Sequence, residues 1–440
     1  MLKDRKYTKG VGVRTRKNMA ALLVLALLLA MGLLIAACGD DDADTTTTAE
    51  ATETTAGGTE TTAAPTDTTA ADTETTEAAG PSGDPIVIGA IVSATGPGAP
   101  LGEPERNVLE MMQEQLNALG GVLGRPVEIV IEDDKSDPKE AVTAVNRLID
   151  QEKAVAIIGS TISSSTLAIK EITAQKQIPQ IAMAAANDIT EVEPYEWIWR
   201  TPHKDALAVA RALTYVSDEL QLTKIAVLHD ENAFGSSGAA EIEETAGDYG
   251  LEIVATESYK TNDTDLTAQL TKIKGANPEV IIVWGTNPGP ALAAKNMQQL
   301  GMDIPYVGSH GIANMTFIDL AEGAAEGVVF PAGRLLVPSS ITDPTQKEVT
   351  EGFASAYETE FGAPPNTFAG YAFEAVSLLV NALETAGGTD AAGIQAAMNA
   401  TQNFPGPDGF YNYSETDHDG LKAEDMIMVR IQDGAWVLAE

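Results

Sequence analysis

The sequence predicts an α/β protein made of two lobes, each a parallel β-sheet covered by helices, with a ligand cleft between them. Three observations carry this expectation. From Asp84 onward, short β-branched runs alternate with longer amphipathic ones, the pattern of βαβ construction. The rhythm runs twice, from Ile86 to about Thr201 and again from Lys224. The part that follows residue 83 has 357 residues, more than one hydrophobic core ordinarily sustains.

In the first repeat the expected strands are Ile86 to Val92, Val127 to Glu132, Val155 to Gly159 and Gln180 to Ala184. The expected helices between and after them are Glu105 to Leu119, Pro138 to Gln151 and Ser164 to Gln175. Pro138 follows Asp137 as a first-turn proline follows an N-cap. A helix from Lys204 to Glu219 leads into the second repeat. Its strands are Lys224 to His229, Glu252 to Glu257, Val280 to Trp284 and Pro305 to Gly308, with helices at Phe234 to Asp248, Leu266 to Ile273 and Pro290 to Leu300. Long helices at Thr345 to Phe361 and Thr367 to Thr385 precede a hairpin, Met426 to Ile431 and Ala435 to Leu438, around Asp433-Gly434. Small molecules bind where the carboxyl ends of such strands face a crevice.

The N-terminus has a different character. Lys3, Arg5, Lys6, Lys9, Arg14, Arg16 and Lys17 stand against Asp4 alone, and an apolar run from Met19 to Ala37 follows, as in a secretory leader. The lone cysteine, Cys38, ends that run, so disulfides and thiolate metal sites are excluded from the rest of the chain. An uncleaved signal-anchor helix is the alternative, because about 20 apolar residues can cross a bilayer. Residues 39–83 hold 16 Thr and 11 acidic residues without Lys, Arg or an aromatic side chain, which predicts a disordered tether. Its root-mean-square reach is roughly 35–40 Å as a flexible coil; an O-glycosylated stalk fits less well because proline is scarce. Residues 84–440 carry a net charge of −32. Nucleic-acid binding, which rests on Lys and Arg neutralising phosphates, is therefore not expected.

The loop Gly159-Ser160-Thr161-Ile162-Ser163-Ser164-Ser165-Thr166 ends a predicted strand and opens a helix. Free backbone N–H groups and hydroxyls converge there, an arrangement suited to a carboxylate. Ser163 or Ser164 acting as a plain helix cap is the competing reading.

The order and spacing of several stretches resemble type I periplasmic binding proteins, in the leucine/isoleucine/valine-binding branch that serves ABC importers. The carrying residues are Ile88-Gly89, Thr95-Gly96-Pro97 and Gly102, then Asn117, Gly120-Gly121 and Gly124, then Asp133-Asp134, Asp137-Pro138 and Ala141. The Gly159 to Thr166 loop, Arg200-Thr201 and Asp205 follow. Later come His229-Asp230, Gly235, Gly311, Asn314, Ala325-Glu326-Gly327 and Phe373-Glu374-Ala375. The resemblance implies two Rossmann-like lobes joined by a three-segment hinge near Thr201 to Lys204, Ala332 to Gly333 and Asn403 to Asp408. Residues 84–203 with 333–405 would form lobe 1, and 204–332 with 406–440 lobe 2. Ile35-Ala36-Ala37-Cys38 resembles a bacterial lipobox. Residues 1–37 would then be a lipoprotein signal peptide, and 38–83 the lipidated Cys38 with its tether.

The resemblance also places Ser163, the backbones of Thr161 and Ala184, and the intervening Ile162 around the ligand's α-carboxylate and α-amino groups. Several positions depart from amino-acid binders. Ala186 stands where a Thr is usual, His310 where an acidic residue pairs the ammonium, Leu101 and Phe234 where tyrosines are expected, and Thr286 or Asn287 at a third tyrosine position. An ammonium in a closed cleft needs a carboxylate or several acceptors to offset desolvation. A small, partly apolar carboxylate or amide is therefore favoured over a free amino acid, with Asp230 as a candidate that could restore an amine anchor. His310, if protonated, would favour an anion; it could equally be an ordinary loop residue. Trp284, Phe368 and Tyr371 are further apolar candidates. Trp197, Trp199, Met111 and Met112 read as packing, and Arg200, His203 and Lys204 as hinge or surface groups, with an anion partner as their alternative role.

No Gly-x-Ser-x-Gly elbow, phosphate loop or His-Glu-x-x-His helix is present, and the four histidines have no metal-ligand spacing. Neither an enzyme, a cofactor nor a metal is expected. Gly96, Gly98 and Gly102 only approach a dinucleotide fingerprint. The implied protein is a monomeric solute-binding lipoprotein whose partners are a small ligand, the membrane through its lipid, and ABC permease and ATPase subunits. A ligand-sensing receptor subunit is the alternative, and it would need a signalling segment beyond the hairpin.

Overall fold

A computed structural model describes residues 80–439. The leader, Cys38 and the tether up to residue 79 lie outside the described residues, so the expectations placed on them rest on sequence alone. Among the described residues, no helix is long and apolar enough to cross a membrane.

The first sheet contains β1 (Ile86–Val92), β2 (Val127–Asp133), β3 (Ala156–Gly159), β4 (Gln180–Ala182) and β5 (Ile198–Arg200). They run parallel in the order β2-β1-β3-β4-β5. The second sheet repeats this pattern with β6 (Lys224–Asp230), β7 (Glu252–Tyr259), β8 (Val280–Trp284), β9 (Tyr306–Gly308) and β10 (Val329–Ala332) in the order β7-β6-β8-β9-β10. A separate pair, β11 (Phe404–Gly406) and β12 (Gly409–Tyr411), is antiparallel. The hairpin of β13 (Ile427–Gln432) and β14 (Ala435–Leu438) extends the second sheet antiparallel to β10. Asp433 and Gly434 both have positive φ, +53° and +70°, as a tight hairpin turn with native strand twist requires. In each sheet the strand order reverses beside the first strand, leaving a crevice at the carboxyl ends.

β1 and β8 are almost wholly buried because helices cover both faces of each sheet, which explains their continuous Ile/Val runs. Asp137 caps its helix as expected, its side chain accepting from the Lys139 N–H. The helix expected from Glu105 instead spans Ala99–Ala118. Pro100 sits in the first turn, where a missing N–H is harmless, so a proline opens this helix instead of breaking it. A Cβ on Gly102 would overlap the Ser93 backbone, so this glycine lets the helix close on the end of β1 and is not part of a nucleotide loop. β10 and the helices Met315–Ala321 and Ala391–Asn399 were not anticipated. β10 is a four-residue strand containing Pro331, too short for alternation to reveal.

The helices Pro344–Phe361 and Thr367–Ala386 return to the first sheet, where Phe353, Phe373 and Leu379 join Ile88, Leu109 and Ile158 in one core. Leu228, Val283, Phe317 and Phe330 centre the core of the second lobe. Phe404, Tyr411, Tyr413 and Leu421 pack into the first core, whereas Met426 and Ile427 pack into second-lobe clusters. We therefore place the third crossing between Leu421 and Met426, later than Asn403 to Asp408, and residues 406–421 with lobe 1. Tyr411 and Tyr413 fix this segment by donating their hydroxyls to the carbonyls of Thr201 (2.8 Å) and Arg200 (2.7 Å).

Candidate functional site

The carboxyl ends of the two sheets face each other across a cavity of about 430 Å³. From the first lobe Leu101, Thr161, Ile162, Ser163 and Ala184 line it; from the second, Phe234, Thr286 and His310. Ser163 and His310, one from each lobe, thus share one cavity. The other two candidates do not reach it. Ala186 is buried behind Ser163 and its N–H donates to Ser163 Oγ at 3.2 Å. Asn287 is fully buried and its Nδ2 donates to Asn314 Oδ1 at 3.1 Å, which ties it to the interior of the second lobe. Thr286 is therefore the lining residue of that pair.

The helix Ser163–Lys176 begins at Ile162, which has extended backbone and no side chain able to cap. Neither Ser163 nor Ser164 acts as the N-cap, so the first-turn N–H groups keep the positive end of the helix directed at the cavity. Ser164 instead faces the other lobe, its Oγ accepting from the Ala233 N–H at 3.3 Å. The Thr161 hydroxyl is turned away from the cleft: it accepts from the Ser93 N–H at 2.9 Å and donates to Glu105 Oε2. Only the backbone of Thr161 is left for a ligand. Behind it Asp134 accepts from Ser93 Oγ (2.7 Å) and Ser160 Oγ (2.6 Å), a buried network that fixes the loop. Glu105 is wholly buried, and desolvation, with the Asp134 charge adding to it against the Thr161 hydrogen bond, pushes its pKa well above the carboxylate range.

His310 lies in a short 3₁₀ turn after β9, its ring edge-on to Phe234 (centroids 5.2 Å apart) and Trp284 (5.9 Å). Burial, aided by the Arg200 cation, lowers its pKa to about 3, so the ring is neutral at physiological pH. Burial thus opposes the protonated form that would favour an anion. His203, read from sequence as a hinge or surface group, is fully buried and likewise lowered to about 3 by burial, His310 and Arg334. Arg200 is also wholly buried. It pairs with Asp419 at 2.9 Å and donates to the carbonyl of Ala185 at 2.8 Å, which makes it a hinge-side structural cation. Lys204 joins the same group through Asp419 (2.9 Å) and Glu191 (2.7 Å).

Of the other apolar candidates Phe368 lines the cavity, whereas Tyr371 belongs to the first core and Trp284 is buried with its Nε1 donating to Asp205 Oδ1 at 3.0 Å. Met183 was missed; it sits one residue after β4, where strand alternation aims it at the crevice. Asp230 stands behind the wall, accepting from the Asn232 N–H (3.0 Å) and Thr261 Oγ1 (2.8 Å), both of which line the cavity. The charged lining residues are Lys135, exposed and paired with Glu140, and Asp137, occupied as a helix cap. Among the described residues no cluster of three or more His, Cys, Asp or Glu could hold a metal ion.

Asn187 spans the two lobes beside the hinge. Its N–H donates to Ser237 Oγ (3.0 Å), its Nδ2 to Glu241 Oε2 (2.8 Å), and its Oδ1 accepts from the Ala206 N–H (2.9 Å). Its position just after Ala186 gave no sequence signal, because the partners come from two other helices, Asp205–Thr214 and Ala233–Thr245.

Comparison with known proteins agrees with this architecture. The chain is 28% identical over 332 residues to the leucine-, isoleucine-, valine-, threonine- and alanine-binding protein of Pseudomonas aeruginosa, covering 76% of this chain and 86% of the relative. Its fold is similar to the branched-chain amino acid transporter substrate binding protein LivJ of Streptococcus pneumoniae in complex with isoleucine, with TM-score 0.73, 26% identity and coverage of 81% and 99%. An extracellular ligand-binding receptor from Rhodopseudomonas palustris HaA2 is similar at TM-score 0.76 and 27% identity, covering 81% of this chain and 100% of the other. These relatives are binding proteins and not enzymes. The periplasmic binding protein family matches residues 85–435, and with both lobes, their crossings and the cleft in place, the chain belongs to that family.

Proposed function

We propose that this chain is an extracytoplasmic solute-binding lipoprotein, anchored through Cys38, that captures a small ligand by hinge closure and delivers it to the permease and ATPase of an ABC importer. The ligand is a small, partly apolar carboxylate or amide. The observation that supports this reading is the cavity itself: an uncapped helix start at Ser163 faces a neutral His310, with apolar walls at Leu101, Met183, Phe234 and Phe368. Helix-end donors favour a carboxylate by roughly 0.3–2 kcal/mol per contact. The one carboxylate among the described lining residues, Asp137, is exposed and already caps a helix through Oδ1, so a buried ammonium gains little from it. Contacts from both lobes make a ligand stabilise the closed form, and that difference in affinity drives closure.

The relatives named for branched-chain amino acids favour the second reading, a branched-chain or other hydrophobic amino acid. Thermal-shift titration with leucine, isoleucine and valine against short aliphatic and aromatic carboxylates and amides separates the two. A ligand at 100 times its Kd stabilises the fold by about 2.7 kcal/mol, which shifts Tm by several degrees. Selective stabilisation by leucine or valine overturns the carboxylate reading, and no response to any of these compounds overturns the placement of the site.

A further inference from the structure

Two acids, Glu374 and Asp408, are fully buried where the chain crosses between the lobes. The chain leaves the first sheet at Arg200 and joins a second-lobe core by Ala208; it returns between Ala332 and Leu335. Two glycines make room for the acids. A Cβ on Gly406 would run into Glu374 Oε1, and one on Gly333, in the return crossing, would run into Asp408 Oδ1. The neighbouring cations are engaged elsewhere: Arg200 pairs with Asp419, and Arg334 donates to the carbonyls of Ser340 and Glu424. The Tyr411 hydroxyl reports the protonation state. Its oxygen lies 2.8 Å from the Thr201 carbonyl oxygen and 2.6 Å from Glu374 Oε2. A phenol has one proton, and a carbonyl only accepts, so that proton goes to Thr201. The contact with Glu374 is then a hydrogen bond only when Oε2 carries a proton of its own and donates it to the phenol oxygen. Glu374 Oε1 remains an acceptor and takes the Asp408 N–H at 2.9 Å.

We propose that Glu374 is a carboxylic acid at neutral pH and that its proton ties the helix Thr367–Ala386, through Tyr411, to the first crossing at Thr201, which makes the hinge proton-dependent. The surroundings agree with the geometry. Burial, with the Asp408 and Asp425 charges adding to it, raises the Glu374 pKa well above the carboxylate range against the Tyr411 and Asp408 N–H hydrogen bonds. Asp408 is raised as well, by burial and Asp425 against the Leu335 N–H. Tyr371, on which Glu105 also acts, and Tyr413 face the pair as phenols whose ionisation burial opposes. Arg334 acts on Asp425 and favours its charge. When the Glu374 proton leaves, Oε2 becomes an acceptor, and Tyr411 has one proton for two acceptors. One of its two bonds is lost, and a second negative charge stands beside Asp408. Because the folded pKa is raised, this stabilisation is present in full below the unfolded value of about 4.3 and is lost as pH rises through the folded value. The hinge therefore loosens on the alkaline side.

Infrared spectroscopy of the full chain, carrying carboxyl-labelled glutamate, tests this at neutral pH. The unmodified protein should show the carbonyl band of a protonated glutamic acid, and Glu374→Gln should lose that component. Tyr411→Phe removes the acceptor of the acid proton and should shift the same component to higher frequency. Interlobe distances from spin labels, with Cys38 replaced by serine, supply the hinge readout. Their distribution should broaden from neutral to alkaline pH in the parent and stay unchanged in Glu374→Gln, whose amide keeps a donor for Tyr411 and an acceptor for the Asp408 N–H. A glutamic acid band that is the same in the parent and in Glu374→Gln overturns the proposal. So does a distance distribution that responds to pH equally in both. If Glu374→Gln does not fold, the band shift in Tyr411→Phe decides, and the lack of any protonated glutamic acid band in the unmodified protein overturns the proposal whatever the variants do.

Discussion

Replacing Asn187 by alanine tests whether the lobes are held together by contacts that do not involve ligand. The side chain makes two hydrogen bonds, Nδ2 to Glu241 Oε2 at 2.8 Å and Oδ1 from the Ala206 N–H at 2.9 Å, and the alanine variant keeps the backbone bond to Ser237. A hydrogen bond to a charged group contributes about 1.5–3 kcal/mol and a neutral one about 1 kcal/mol. Water replaces part of this once the lobes separate, so a net loss of about 2 kcal/mol from the closed form is a reasonable figure. In a chain that is mostly open without ligand, apparent affinity is reduced by the fraction that can close, and about 2 kcal/mol corresponds to roughly 30-fold weaker binding. Asn187 does not line the cavity, so the ranking of ligands should stay the same. Two measurements check this: calorimetric Kd values for a ligand series, and the interlobe distance from spin labels on two introduced cysteines, with Cys38 replaced by serine. An unchanged Kd with an unchanged distance distribution refutes the latch. A changed ligand ranking shows instead that Asn187 acts on the ligand.

Ser163→Ala should weaken carboxylate binding about tenfold, equivalent to about 1.4 kcal/mol, with a smaller loss of fold stability because the Ala186 N–H loses its acceptor; calorimetry together with thermal melting separates the two effects. Gly333→Ala puts a Cβ into the Asp408 carboxylate at a hinge crossing, and overpacking of this kind destabilises by about 1–3 kcal/mol, which a urea midpoint reads directly. His203 and His310 have folded pKa values lowered to about 3. Their contribution is therefore fully present above about pH 6.5, the unfolded value, and is lost as pH falls from there toward 3; melting curves from pH 7 to 4 should show it, and His310→Phe should flatten part of the decline. Asp205 runs the other way, raised to about 7 by burial against the Trp284 hydrogen bond and Arg200. Its contribution is present below about pH 4 and lost as pH rises through 7, so Asp205→Asn should be more stable than the parent at pH 8, and equal or lower stability there refutes the assignment.

Legibility followed the range of the forces involved. The strands β1, β6 and β8 and the hairpin turn at Asp433-Gly434 were plain, because burial on both faces and positive φ leave local marks in residue type. β10, Met183 and the start of the helix at Ala99 were not, since each depends on what a neighbouring element covers or on first-turn prolines that resemble a turn. Eight of the ten ligand-site candidates line the cavity; of the two that do not, Asn287 follows the lining Thr286, and Ala186 follows the lining Ala185 and donates its N–H to Ser163.

The sequence by itself determined the repeated α/β construction, the anionic surface that disfavours polyanions, and the helix start at Ser163. Those features reside in composition, periodicity and adjacent residues. Only the tertiary structure decided that burial disfavours the charged forms of His310 and His203, that Asn187 bonds across to two other helices, and that Tyr411, Tyr413 and Leu421 pack into the first core. Burial, desolvation and partnership depend on groups dozens to hundreds of residues away, such as Arg200 beside His310 and Tyr413 on the Arg200 carbonyl, and a linear pattern does not carry that information.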